Sequence, residues 1–306
     1  MTESIRSLCA QNGVQLRPEI TTISSYTNKL RYNLNPSPMA SVAHLSQDQP
    51  SFPLALLSLF RVQFALIVLL PLTFYLVHYI RKDYNAFLAL GPGGTPSTPS
   101  GYLRICILRL VTLRDPLLPP SIPATLHPKT GILNRATLPS RPGHRPTVAG
   151  IAPHRQLTQK SSSGMYDALT KEIARLAQHY PKSFYTATSC FEKHSAGVFC
   201  RLPSSSSSSA EADPSNHRIT CNGEICHSHP SDGSMHLTLH PADIKLVLER
   251  GWAQRHPLAR DEWWWGKRSV PRGFLMVYAP RDEHELAVVV QIIRAAAWWV
   301  SGVEVS

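Results

Sequence analysis

Histidine is the side chain through which this sequence could transfer protons or ligate a metal near neutral pH, because imidazole gains and loses its proton there and binds metals when neutral. Four of the fourteen histidines fall between Gly223 and Pro241, in G-E-I-C-H-S-H-P-S-D-G-S-M-H-L-T-L-H-P. His227 and His229 are two residues apart, so an extended backbone puts both on one face, with Glu224 and Asp232 nearby. Two chemistries fit these residues. The first is proton transfer with no cofactor, with His227 or His229 as base. The second is a metal site of two histidines and one carboxylate, His227 and His229 with Glu224 or Asp232, which would suit non-haem iron or zinc.

Those side chains need a scaffold that presents them together. Ile225, His227 and His229 alternate with Cys226 and Ser228, and His236, Thr238 and His240 alternate with Met235, Leu237 and Leu239. Pro230-Ser231-Asp232-Gly233-Ser234 is a turn signal, so the two runs are expected to pair as a hairpin. When the faces coincide, His227, His229, His236 and His240 line one patch; a slip of one residue separates them. Cys226, between Ile225 and His227, reads as a buried strand thiol.

The flanking pattern is that of an α+β domain over residues 161–303, a mainly antiparallel sheet with packed helices. Tyr166 to His179 has helical spacing, Ser183–Ser189 and Ala196–Leu202 read as strands, and the serine run 204–209 with the polar stretch to His217 reads as a mobile insert. After the hairpin, Pro241 opens a helix that Gly251 closes. Asp261-Glu262-Trp263-Trp264-Trp265 is an aromatic loop suited to a lid, a membrane contact or simple packing. Gly273 to Ala279 reads as a core strand. Asp282 and Glu285 then cap a terminal helix with Leu286, Val289, Val290, Ile293, Ala297 and Val300 as its buried stripe.

Residues 1–51 have no sustained periodicity and read as a disordered tail. Residues 52–82 read as one transmembrane helix, since Val62 to Ile80 gives 19 residues without a formal charge. Tyr84 to Leu88 continues that helix until Gly91-Pro92-Gly93-Gly94. Residues 83–160 form a juxtamembrane and Pro/Gly/Arg-rich linker region; within it, 101–111 is a short apolar run that could lie along a membrane or add an element to the domain. The net charge of +11 suits anionic lipid headgroups beside such a span, and nucleic acid is not an expected partner. Six cysteines without a C-x-x-C fit neither a disulfide scaffold nor a zinc knuckle. Arg81 and Lys82 directly after the span place the C-terminal part on the cytoplasmic side, at the endoplasmic reticulum or another endomembrane. Oligomeric state is not legible.

Several separated blocks carry a likeness. I-R-K-D-Y-N-A-F-L at 80–88, G-Y-L-R-I-C-I-L at 101–108, F-E-K-H at 191–194, E-I-C-H-S-H at 224–229, the L-H-L-type spacing around His236, G-W-A-Q-R-H-P-L-A at 251–259 and Y-A-P-R at 278–281 resemble the fungal luciferase family and its non-luminous relatives. That resemblance implies a membrane-associated enzyme that adds molecular oxygen to a hydroxylated pyrone, with no external organic cofactor. It brings His194, Glu224, His227, His229, His236, Trp252, Arg255, His256, Tyr278 and Arg281 onto shared blocks. On this reading His227, His229, His236, Arg255, His256 and Tyr278 are catalytic, with Arg255 and His256 as electrostatic partners and Tyr278 as donor. His194, Glu224, Trp252 and Arg281 bind substrate. The chain departs from the pattern at Pro230–Ser234, His240 and Trp263–Trp265, and light emission is not implied. A small-molecule or lipid-binding domain without catalysis is the alternative, as is a metal-dependent enzyme.

Overall fold

The computed structural model describes residues 54–201, 220–262 and 268–305. The expected N-terminal tail, the serine insert and the Trp263–Trp265 loop lie outside the described residues. The chain divides into two units after Val62, the second being Gln63–Ser306.

Helix α1, Leu54–Ala89, contains the uncharged run and passes through Pro71 without a break. It is long and apolar enough to cross a membrane, and none of its most apolar window is buried against protein. Its last turns are different: Phe87 is buried in a small apolar cluster, with Tyr84 and Leu88 packed against it. The short run after it forms α2, Pro99–Arg109, capped by Thr98. Arg109 and Tyr102 of α2 bind Asp83 of α1, which fastens the two helices together.

Six antiparallel strands make the main sheet: β3 (Phe184–Thr188), β4 (Ala196–Cys200), β5 (Glu224–Ser228), β6 (Met235–Thr238), β7 (Ala253–Arg255) and β8 (Phe274–Val277), in the order β3-β4-β5-β6-β8-β7. A separate two-stranded hairpin, β1 (Val148–Gly150) with β2 (His154–Gln156), precedes them. Helix α3 (Ser163–His179), α4 (Pro241–Glu249) and α5 (Glu283–Ser301) complete the α+β domain, and α3 and α5 pack on the sheet. The main core lies on that side, built from Leu169, Val198, Cys226, Leu237, Val277, Val289 and Trp299 among others.

The buried stripe of α5 is broader than its spacing predicts. Val288, Ile292 and Trp299 are buried, while Leu286 and Val290 sit at its margin, because the helix is covered by both the sheet and α3. Asp282 caps it as expected, accepting from Glu285 N at 2.8 Å.

Register decides the opposite face. His227 pairs directly with His236, and Cys226 with Leu237, so the two histidine runs do share a side. The β4–β5 pairing is irregular: Val198 faces Cys226 but Phe199 faces Glu224, leaving Ile225 as an extra residue. That bulge rotates Glu224 onto the face of His227, which an unbroken strand would forbid, and sends Ile225 into the helix-side core. The expectation that Ile225 shares the face of His227 is corrected accordingly. His240 also leaves the patch. The strand ends at Thr238, and His240 becomes the N-cap of α4, with its ring 4.7 Å from that of Trp299.

Candidate functional site

The histidine face of the sheet is closed over by β2 and by the loops after β3 and β7, and five buried imidazoles meet there: His154, His227, His229, His236 and His256. His236 is the hub. Its Nδ1 lies 3.0 Å from His229 Nε2 and 3.3 Å from His227 Nε2, and its Nε2 lies 3.1 Å from His154 Nδ1. His154 Nε2 is 3.4 Å from Gln254 Nε2, and Tyr278 donates its hydroxyl to Gln254 Oε1 at 3.2 Å. Phe274 stacks on His236 at 4.9 Å, and Phe191 packs 4.7 Å from Phe274, so an apolar wall flanks the rings.

The outer nitrogens fix the tautomers. Glu224 Oε1 accepts from His227 Nδ1 at 2.6 Å, and the same carboxylate accepts from Ser189 Oγ and Cys190 N. Ser234 gives its hydroxyl to Asp232 Oδ1 at 2.6 Å and therefore accepts from His229 Nδ1 at 2.9 Å. Both rings thus carry a proton on Nδ1 and turn Nε2 toward His236. Gly233, at φ +77°, makes the tight turn that lets Asp232 and Ser234 reach back, and a Cβ there would collide with Ser161.

Burial sets the charge of the cluster. It drives His154 and His236 well below the ordinary histidine range, with neighbouring imidazoles adding to the effect. Burial also lowers His229 against the pull of Asp232, and pushes His256 down to about 3. Burial raises the Asp232 carboxyl, yet bonds from His229 and Ser234 outweigh it and hold the group below its usual value. At neutral pH these four imidazoles are neutral.

A cavity of about 200 Å³ opens against the cluster, its wall including His154, His227, His236, Phe191 and Glu192. Arg104 and Lys193 are its other charged lining groups. Arg155 reaches across from β2 to pair with Glu192 at 2.5 Å, both buried, while Glu192 Oε2 stands 4.0 Å from His229 Nε2.

The model of the luciferase domain family matches residues 222–296. The luciferase of Neonothopanus nambi is 34% identical over 226 residues, covering 72% of this chain and 81% of that protein. The luciferases of Armillaria ostoyae and Armillaria mellea are each 34% identical over 227 residues, covering 73% of this chain and 82% of theirs. The chain belongs to the fungal luciferase family. No solved structure matches it.

The part matched by the luciferase domain carries His227, His229, His236, Glu224, His256 and Tyr278, and the fold brings these together. Three of them play parts that differ in kind. His256 lines the cavity, but Nε2 donates to Ile151 O at 3.0 Å and Nδ1 accepts from Leu258 N at 3.1 Å, so both ring nitrogens are occupied. Tyr278 reaches the cluster only through Gln254. Glu224 stands behind His227 rather than in the cavity wall. Arg255 points elsewhere, tying Leu118 O, Ala259 O and Asp261 into one loop. Trp252 is held in the helix-side core by a bond to Pro139 O, Arg281 clamps Glu285 and Pro142 O, and His194 is exposed after β3.

Sequence reading missed His154, Arg155, Glu192 and Gln254. His154 and Arg155 sit in a Pro/Gly/Arg-rich stretch without periodicity, so nothing local marks them as buried. Glu192 lies in the F-E-K-H block, where the spacing drew attention to His194; an ion pair with Arg155, 37 residues earlier, is what turns Glu192 inward.

Proposed function

We propose that this protein is a membrane-anchored oxygenase that adds molecular oxygen to an enolisable hydroxy-pyrone or phenolic small molecule. The observation that carries this reading is the set of buried imidazoles, with His227 and His229 oriented by bonds at Nδ1, beside a cavity of about 200 Å³. His227 takes the enol proton, and Glu224 at its Nδ1 stabilises the imidazolium that results, as a carboxylate does behind any histidine base. Lys193 and Arg104 on the cavity wall balance the enolate. The enolate supplies both electrons to O2, both oxygen atoms enter the product, and the proton returns from His227 to the new peroxide.

Helix α1 supports a single membrane crossing, and Arg81 and Lys82 at its C-terminal side support a cytoplasmic domain on an endomembrane. A lipid surface and a lipophilic substrate are thus the expected partners.

Oxygen consumption by the full chain in detergent, with a panel of hydroxy-pyrones and enolisable phenolics, tests the reading. Uptake that depends on substrate and falls in His227→Ala supports it. Saturable binding of the same compounds without any oxygen uptake replaces it with a binding module.

A further inference from the structure

We infer that His227, His229 and His236 form a three-histidine site for a divalent first-row transition-metal ion, and that this ion holds the substrate as an anionic, bidentate enolate. The substrate half of the inference rests on the proposed reaction, with one change: the ion occupies His227 Nε2, so the substrate binds as the enolate with its proton released to solvent and does not give it to His227. The metal half stands on geometry alone.

His227, His229 and His236 can each offer one ring nitrogen within 4.8 Å of the others, and the nitrogens that meet are His227 Nε2 and His229 Nε2 at His236 Nδ1. A metal about 2.1 Å from each imidazole nitrogen needs nitrogens about 3.0 Å apart at right angles, or about 3.4 Å apart in a tetrahedron. The two separations that involve His236 are 3.0 and 3.3 Å, so the rings already stand at ligand spacing. Behind them is the support such ligands require. Glu224 holds His227 at Nδ1, and the Ser234–Asp232 pair holds His229 at Nδ1, which fixes both rings and makes their Nε2 atoms better donors.

Hydrogen-bond accounting points the same way. Two Nε2 atoms, those of His227 and His229, converge on the one Nδ1 of His236, so a single nitrogen is shared between two partners. A cation gives all three nitrogens one partner at once. The neighbouring trio of His154, His236 and His256 is not equivalent, because His256 spends both nitrogens on Ile151 O and Leu258 N.

This site differs from the set of two histidines and one carboxylate that spacing suggested. Glu224 and Asp232 bind the far sides of the rings, and the third ligand comes from the partner strand. Imidazole ligands select iron, copper, nickel or zinc over magnesium or calcium. Three neutral ligands bring no charge of their own, and the nearest carboxylates are engaged elsewhere, Glu224 and Asp232 behind the rings and Glu192 with Arg155; an enolate with an adjacent carbonyl, as in a hydroxy-pyrone, supplies an anion and two oxygen ligands together.

The test uses the untagged full chain purified in detergent. Elemental analysis should find close to one transition-metal ion per chain, either as purified or after chelator-stripped protein is reloaded with Fe(II), Zn(II) or Cu(II). The Cu(II) form should show nitrogen superhyperfine structure in its electron paramagnetic resonance spectrum. His236→Ala and His229→Gln should each lose the ion and the nitrogen pattern, while exposed His179→Gln keeps both; two separate variants guard against one that fails to fold. No stoichiometric metal in any form, or metal retained by both folded site variants, overturns the inference. Oxygen uptake by protein that binds no metal overturns the site and leaves the proposed reaction standing. Stoichiometric metal lost in both variants, with no uptake on any substrate, establishes the site and removes the reaction.

Discussion

Acid should unfold this domain through its histidines. In the metal-free protein, His154, His229, His236 and His256 are held below the ordinary histidine value of 6.5 by burial. A depressed folded pKa means that the unfolded chain binds protons first, so the stability is present above about pH 6.5 and is lost as pH falls toward the folded values. Each such group contributes a slope of about 1.4 kcal/mol per pH unit. Asp243 works in the opposite sense. Burial raises its carboxyl to about 6, so the folded chain takes up a proton there between pH 6 and the ordinary carboxyl value of 3.8. Counting His154, His236 and His256, which lie well below this window, three groups against one leave a net excess of about two protons in the unfolded state, and stability should fall by about 3 kcal/mol between pH 6 and pH 5. That is a large share of the roughly 5–15 kcal/mol typical of a domain. Urea titrations followed by tryptophan fluorescence, in detergent and with chelator, measure it directly. His256→Asn, whose carbonyl can still accept from Leu258 N, should reduce the slope by about 1.4 kcal/mol per pH unit. A fall below about 1.5 kcal/mol between pH 6 and pH 5 in the parent protein would mean that these imidazoles are not held neutral by burial, and the reasoning fails.

Four further outcomes are expected. Glu224→Gln gives the three donors of His227, Ser189 and Cys190 one carbonyl in place of a carboxylate; it should cost about 1–3 kcal/mol in urea titration and lower oxygen uptake at least about tenfold, and full activity would remove Glu224 from the site. Arg155→Ala leaves Glu192 buried without its cation and should cost about 3–5 kcal/mol, whereas an unchanged urea midpoint would show that the pair carries no weight. Gly273→Ala brings a Cβ to 2.4 Å from Leu239 O, a backbone atom that cannot swing away, and should destabilise by about 1–3 kcal/mol, read as a lower thermal midpoint. With α1 spanning a bilayer, alkaline carbonate should leave the protein in the membrane pellet, and release to the supernatant would count against the span.

Local chemistry accounts for the elements that could be read in advance. The apolar run to Ile80 makes a helix exposed along its length, Asp282 starts α5, Pro241 starts α4, and the Pro230–Ser234 turn folds β5 onto β6. Each of these depends on residues within a few positions of one another, where backbone preference and side-chain capping act without the rest of the chain. The histidine hairpin belongs to this group as far as its existence goes, and His227 and His229 were identifiable from it.

The site itself depends on partners that are far apart in the chain. Whether His227 faced His236 was a matter of cross-strand register, and whether Glu224 could reach His227 was a matter of one extra residue opposite β4. His154 comes to His236 across 82 positions and Arg155 to Glu192 across 37, and the same packing turns Arg255 and His240 to structural duties. Burial then determines which imidazoles are neutral and which nitrogens are free. Residue type and spacing set which groups could do chemistry here; long-range pairing and desolvation set which of them do, because hydrogen-bond direction and proton affinity are properties of the surroundings and not of the side chain alone.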